Sequence, residues 1–302
     1  MIRLIRSELI KLRTTHMWWI FLLCSVAFVG LALLINTAQA DSDLQTPDYL
    51  NQAPPPGMSS QEQADFLAQQ QAEKDHVAAA HTGAGLARIA ANVYTSGQFF
   101  GLMMVMLLAI LLITNEFYHQ TATATFLATP KRTKVIAAKL ITGGMMALAF
   151  WLIATVISLV VGAIFFSSEG VSNSLGHWGA QQAILLNLLV YVLWAVFGIG
   201  IGVLIRSQIG ATITAAVVYT IGTYAALAVL ALVRTYLIKD DWVLQAAVYI
   251  PPLASEHVVG SLQNQMGDTH LPARWVGVVV LVGWALVLGT IGTLITRRRD
   301  IA

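Results

Sequence analysis

Six apolar runs, each about 20 residues long, alternate with shorter polar segments along this chain. A helix rises about 1.5 Å per residue, so about 20 apolar residues are enough to cross the hydrocarbon core of a bilayer. The pattern predicts an all-α integral membrane protein with six transmembrane helices in a single polytopic domain, residues 1–302. The predicted spans cover residues 17–37, 93–114, 135–166, 181–205, 210–233 and 275–296.

The composition agrees with a membrane protein and excludes an ordinary soluble domain. Hydrophobic residues make up 57% of the chain and charged residues 11%, whereas soluble domains have about 25% charged residues. Cys24 is the single cysteine, so the chain cannot form an internal disulfide.

Basic residues are concentrated on one side of the predicted membrane. Most of the 17 Lys and Arg residues flank the span ends that share a side with the N-terminus, where the acids are Glu8, Glu116 and Asp300. Because cytoplasmic loops carry an excess of Lys and Arg, both termini are predicted to be cytoplasmic, and residues 38–92 to be extracytoplasmic. The basic start, the first apolar run and Ala38–Gln39–Ala40 also fit a secretory signal, but the run is longer than a usual signal core.

Residues 1–15 have the pattern of an amphipathic helix. Ile2, Ile5, Leu9 and Leu12 recur at helical spacing, with basic side chains between them. Such a stripe is typical of a helix that lies in the membrane interface and contacts lipid. A basic tail that only sets the topology is the alternative. The basic residues of this predicted interfacial helix are Arg3, Arg6, Lys11 and Arg13.

Two further patterns predict local structure. Ser59 followed by Glu62 fits a capping box, which predicts a short outer helix that ends near Gly83 and Gly85. Glycines recur at every second position in the fourth predicted span, where they would let a neighbouring helix approach closely. These predicted helix-packing residues are Gly198, Gly200 and Gly202.

The chain lacks several motifs that would give it chemistry of its own. It has no G-x-x-x-x-G-K-[ST] phosphate loop, no H-E-x-x-H and no Cys/His cluster with metal-ligand spacing. The middles of the predicted spans contain no Asp, Glu, Lys or Arg, although ion-coupled carriers usually keep such groups at that depth. Energy for any transport is therefore expected from another chain.

Residues 114–132 form a polar, proline-ended segment between the second and third predicted spans, on the predicted cytoplasmic side. Phe117 and Leu127 can face lipid or protein while Glu116 and His119 face water, and Pro130 would end a helix. The segment is therefore predicted to be an amphipathic helix.

These features resemble the permease subunits of type-2 ABC exporters, especially the small actinobacterial kind. The resemblance spans nearly the whole chain and rests on two elements. The first is the basic N-terminal segment followed by Trp18 and Trp19. The second is the run from Glu116 to Lys139, which is similar to a family signature E-x-x-x-G-T…T-x-L…P-x-R…A-K. Gln120 departs from the signature, which commonly has glycine there.

The resemblance implies a permease subunit of an ABC exporter in a bacterial plasma membrane, and not an enzyme. It implies a cytoplasmic coupling helix between the second and third spans, two ABC ATPase subunits that bind ATP and Mg, and a second permease subunit, identical or a sister chain. No cofactor is expected on this chain, and no nucleic-acid partner. Around Pro251–Pro252 it implies two short re-entrant elements, with an ordinary outer loop as the alternative. The residues assigned to coupling with the ATPase are Glu116, Phe117, His119, Thr121, Thr125, Leu127, Pro130 and Arg132.

Two other classes of protein stay open. A non-transporting membrane scaffold or sensor would use residues 38–92 as its receptor part. An intramembrane lipid-modifying enzyme would need a polar catalytic group near the interface, and Glu256–His257 is the adjacent acid–histidine pair beside an outer span end. Co-purification of an ABC ATPase would distinguish the exporter from both.

Overall fold

A computed structural model of the chain describes residues 1–15, 17–119, 132–205, 207–266 and 269–298. Helices and the loops between them make up these ranges, and no strand occurs within them. Six helical segments of the described chain are long and apolar enough to cross a membrane. The prediction of an all-α protein with six membrane-spanning helices is confirmed at this level.

The helices extend beyond most of the predicted spans. The first span is longer than predicted because α2 continues through polar residues to Leu44. Before the last span, two short helices follow Ile250, and prolines occupy the first turn of the first of them. The helices are α1 (Ile2–Thr14), α2 (Met17–Leu44), α3 (Ser60–Ala80), α4 (Gly83–Tyr94), α5 (Gln98–Tyr118), α6 (Arg132–Ser168), α7 (Trp178–Leu204), α8 (Gln208–Val217), α9 (Thr223–Leu232), α10 (Pro251–Val259), α11 (Ser261–Met266) and α12 (Arg274–Arg298). Short 3-10 helices cover Asp48–Asn51 and Asp241–Tyr249.

The second span consists of two helices, α4 and α5, joined by a tight turn. Gly97 precedes α5 with a φ of 75°, a left-handed conformation that glycine adopts without strain. A Cβ at this position would lie 2.7 Å from Val29 Cα, so a larger residue would also push α2 away. The turn therefore places the start of α5 directly against α2.

The fifth span contains two wide π-helical turns. It runs from α8 through Val218–Gly222 and α9 to Val233–Ile238. Tyr219, in the first of these turns, is buried, and its hydroxyl donates a hydrogen bond of 2.6 Å to Phe99 O at the start of α5. Single π turns inside helices often occur at functional sites.

The centre of the bundle is α5, in which every residue from Gly101 to Thr114 is buried. The glycines of α7 determine how closely its neighbours approach. A Cβ on Gly198 would collide with Met106 O and Ala109 Cβ of α5, and one on Gly202 would lie 3.1 Å from Ile110 O. Gly200 faces the opposite neighbour, with Leu288 of α12 only 2.9 Å from the site of its missing Cβ. The three glycines thus lie in two interfaces, because alternate positions of a helix point to different sides.

The outer helix α3 begins with the predicted capping box. Glu62 N donates to Ser59 Oγ at 3.3 Å, and Ser59 N donates to Glu62 Oε2 at 2.7 Å. The helix ends at Ala80, and Thr82 caps the following helix by accepting a hydrogen bond from Gly85 N. The two glycines that were predicted to end the outer helix therefore lie in the first turn of α4.

Candidate functional site

Four charged side chains from three helices meet at one end of the bundle. Glu8 and Lys11 come from α1, Glu116 from the last turn of α5, and Lys139 from the second turn of α6. Lys139 Nζ lies 2.8 Å from Glu8 and 3.1 Å from Glu116. Lys11 Nζ lies 2.8 Å from Glu8 and 2.6 Å from Glu116. Each lysine thus contacts both carboxylates, and we call these four residues the charge cluster.

Three of the four side chains in the charge cluster are buried. The side chains of Glu8 and Lys139 are each 4% exposed and that of Glu116 is 7% exposed, whereas that of Lys11 is 41% exposed. Lys139 Nζ also donates a hydrogen bond of 3.0 Å to Leu112 O of α5. Burying an unpaired charge is very costly, so the alternation of two positive and two negative groups is what makes this site tolerable.

The position of α1 follows from one face of that helix. Glu8, Lys11 and Leu12 are three or four positions apart, so they lie on the same side, and Leu12 is buried in the core of the bundle. Ile2, by contrast, is 83% exposed, although it belongs to the predicted apolar stripe. The other basic residues of the helix are exposed, namely Arg3, Arg6 and Arg13. Lys11 therefore differs from the three arginines with which the sequence grouped it.

The charge cluster stabilises the charged forms of its members on α1. Burial alone would raise the pKa of the Glu8 carboxyl, but the ammonium groups of Lys139 and Lys11 outweigh it and lower that pKa. Burial alone would lower the pKa of Lys11, but Glu116 and Glu8 outweigh it and raise that pKa. The two α1 residues therefore stay ionised around neutral pH.

The predicted coupling residues are only partly brought together. Glu116 is in the charge cluster, and Phe117 packs against the hydrophobic core beside it. His119 ends α5 and lines a cavity of about 240 Å³ together with members of the charge cluster. Arg132 begins α6. Thr121, Thr125, Leu127 and Pro130 lie outside the described residues, as does Gln120.

Sequence reasoning missed Glu8 and Lys139 as partners of Glu116. Residues 8, 116 and 139 belong to three different helices, and no periodicity connects them. One signal was present, since Glu8 and Glu116 are rare acids on the side of the chain where basic residues dominate. An isolated acid among many bases is often a pairing residue, because a buried carboxylate needs a cation.

The second candidate pair, Glu256 and His257, does not converge. Both residues lie on α10, but Glu256 lines a polar cavity beside α5 and α9. His257 instead faces α12, where its ring would contact a side chain placed at Gly277, and its Nε2 is buried with no hydrogen-bond partner among the described residues. Among all the residues that the structure describes, no three His, Cys, Asp or Glu side chains lie close enough together to hold a metal ion.

A comparison with known families gives a match over most of the chain. A family model described as "Protein of unknown function (DUF2705)" matches residues 65–302. The matched range includes Glu116 and Lys139 but not α1, which carries the other half of the charge cluster. No curated protein matches the sequence.

Proposed function

We propose that this chain, which belongs to the DUF2705 family of proteins of unknown function, is the permease subunit of an ABC exporter. Separate ATPase subunits would hydrolyse the ATP that drives it, and a second permease subunit would complete the path through the membrane. The observation that carries the proposal is the charge cluster, because it joins α1 to the end of α5 and to the beginning of α6.

The first step of the argument concerns position. Residues 120–131 connect the end of α5 to the start of α6, and they include most of the segment that resembles the coupling helix of type-2 exporters. Glu116 lies two residues before the end of α5, and Lys139 lies about two turns into α6. Any force that a docked ATPase exerts on this segment would reach both members of the ion pair within a short length of helix.

The second step concerns how such a force would spread. Because each lysine contacts both carboxylates, the ends of α5 and α6 and the inward face of α1 are tied together. Separating them would leave buried charges unpaired, which costs several kcal/mol. We therefore expect these three helices to move as one body when the ATPases close, and the buried α5 to carry the motion to α7.

The exposed faces of the bundle are compatible with a second permease subunit and with lipid. α2 and the fifth span present large apolar side chains that are mostly exposed in the described chain, among them Leu34 (71% exposed), Val218 (63%) and Leu232 (56%). The amphipathic helix α1 would lie at the cytoplasmic membrane surface, where its exposed arginines can contact anionic headgroups.

Two measurements test the proposal. The tagged chain, purified from its own host after mild crosslinking, should bring down a protein that carries a phosphate loop, as identified by mass spectrometry. In nanodiscs, the complex should hydrolyse ATP at a rate that depends on the permease. If the chain is folded but no such partner is found with it, the exporter is refuted and a membrane scaffold or sensor is favoured.

The role of the charge cluster in coupling needs a variant that keeps the charges balanced. In the double variant Glu116→Gln/Lys11→Gln, the Glu8–Lys139 pair remains and the ion pairs that involve Glu116 or Lys11 are lost. We expect the ATPase to bind this variant normally but to lose most of the permease-dependent ATP hydrolysis. Glu169→Gln, at the far end of α6, is the control. Unchanged ATP hydrolysis in the double variant would contradict a coupling role.

A further inference from the structure

A polar cavity of about 220 Å³ lies at the opposite end of α5 from the charge cluster. It is lined by residues of α2, α4, the turn before α5, the start of α5, α9, α10 and α11, among them Asn36, Ser96 and Thr223. Gln98 at this end of α5 is 18 residues from Glu116, so the two sites are about 27 Å apart along the helix. Nothing in the proposed coupling mechanism involves this cavity.

The lining of the cavity carries one formal charge, the carboxylate of Glu256. The other described lining residues are amides, hydroxyls, aromatic rings and aliphatic side chains. Glu256 Oε2 accepts a hydrogen bond of 2.8 Å from Gln265 Nε2, and a carboxylate has room for several more donors. The described part of the chain offers Glu256 no ion pair within 4 Å, whereas Glu8 and Glu116 each contact two lysines.

The groups around Glu256 favour a positive charge in the cavity. Phe99 and Phe100 line the cavity with their rings edge to face, the centroids 5.2 Å apart, and one face of the Phe100 ring stacks on Phe28. Aromatic faces attract cations, and most strongly when the cation is desolvated. Asn36 and Ser96 add oxygen acceptors, and Asn36 Nδ2 donates to Ser96 Oγ at 2.7 Å, which fixes their orientation.

We propose that this cavity binds an organic ammonium group, whose charge pairs with Glu256 and whose alkyl part contacts Phe99 and Phe100. A divalent metal ion fits less well, because Ca²⁺ requires about six to eight oxygen ligands, usually including several carboxylates. The proposal goes beyond the exporter function, since binding at this site requires no ATPase.

A second, larger cavity adjoins the proposed site. Asn36 and Asn92 line both this cavity and a larger one of about 770 Å³ beside α2, α3 and α4. The larger cavity is also lined by Asp43, His76 and Arg88, so it is polar. We therefore expect an amine to approach Glu256 past these polar side chains rather than through the lipid.

The ionisation of Glu256 provides a readout in the unmodified protein. Burial raises the pKa of its carboxyl to about 7, against a smaller lowering by the Gln265 hydrogen bond. The titratable neighbours are Tyr219 and Tyr224 on the fifth span and His257 on α10, and burial lowers the pKa of His257. Beyond His257, the guanidinium of Arg274 lies against Gly260. Glu256 is therefore the group expected to change charge near neutral pH.

The test uses the full-length chain in phosphatidylcholine nanodiscs without an ATPase. Isothermal titration calorimetry compares n-butylammonium with its uncharged isostere n-butanol, with empty nanodiscs as the blank. We expect n-butylammonium to bind and Glu256→Gln to weaken that binding by at least about tenfold, since the variant removes the negative charge that pairs with the ammonium group. Glu73→Gln, the same change on α3, should leave the affinity unchanged.

A pH series needs no variant. With a pKa of about 7, Glu256 is about nine-tenths ionised at pH 8 and about one-tenth at pH 6, so affinity for n-butylammonium should fall about tenfold between them. Equal affinity in Glu256→Gln, an affinity independent of pH, or equal binding of n-butanol would each overturn the proposal. Displacement of n-butylammonium by equimolar Ca²⁺ would overturn it in favour of a metal site. Thermal unfolding of each variant checks that it is folded.

Discussion

Lys139 and Lys11 contact the same two carboxylates, yet we expect very different costs when each is replaced by methionine. Distance alone would rank Lys11 as the more important residue, since its contact with Glu116, at 2.6 Å, is the shortest in the charge cluster. Burial ranks them the other way, because the Lys139 side chain is 4% exposed and that of Lys11 is 41% exposed.

The magnitudes follow from the surroundings of each charge. An ion pair at about 3 Å gains about 5 to 6 kcal/mol at an effective dielectric constant of about 20, but only about 1.4 kcal/mol in bulk water. Lys139→Met leaves two buried carboxylates with one half-exposed cation and removes the donor to Leu112 O, so we expect a loss of about 3 to 5 kcal/mol of unfolding free energy. Lys11→Met leaves Lys139 between both carboxylates, so we expect a loss of about 1 kcal/mol or less.

Unfolding in mixed micelles titrated with SDS, followed by tryptophan fluorescence, measures both losses. Lys134→Met is the matched control, because Lys134 is exposed on the same helix as Lys139. The double variant Glu8→Gln/Lys139→Met should recover part of the loss, since removing both partners leaves fewer unpaired charges than removing one. If Lys11→Met costs as much as Lys139→Met, burial does not control the energetics of the charge cluster and the reasoning is refuted.

Two further substitutions test the packing of α7 and the cap of α3. Gly198→Ala should destabilise the bundle by about 1 to 3 kcal/mol in the same SDS titration, because the added Cβ would overlap Met106 O. The control Gly144→Ala, whose Cβ would have no atom within 4 Å, should be neutral or stabilising. Equal losses in the two variants would contradict close packing at Gly198. Ser59→Ala should remove about 1 kcal/mol of local stability from the first turn of α3. Hydrogen–deuterium exchange should then become faster near Glu62 but not near the end of that helix, and faster exchange throughout α3 would mean that the cap supports the whole helix.

The sequence predicted the number and approximate places of the spans because their signal is local. Twenty apolar residues in a row are sufficient to predict a membrane-crossing helix, whatever the rest of the chain does. The ends were less predictable. The fifth span continues past Arg234 to Ile238 because a long basic side chain near a helix end can extend towards the interface. α4 was assigned mostly to the outer segment because Arg88 and the glycines at its start interrupt the apolar pattern.

The charge cluster shows what a single sequence does not contain. The sequence identified Glu116 as the acid to examine, from its place within the polar segment 114–132. Its partners depend on how α1 packs against α5 and α6, and that packing follows from shape and burial rather than from any periodicity. The same holds for Glu256, which the sequence paired with its neighbour His257, whereas helical geometry directs the two side chains to different sides of α10.

The burial of α5 bears on how the protein is made. This helix contacts protein on every side, so a moderately polar sequence would serve the finished bundle. Its residues are nevertheless as apolar as those of a helix that faces lipid. During synthesis α5 is made after α2 but before α7 and α8, so for that interval the faces of α5 that α7 and α8 later cover lack these partners. The apolar character of α5 thus suits a helix that enters the bilayer before α7 is made, and its close contacts with Gly198 and Gly202 of α7 form afterwards.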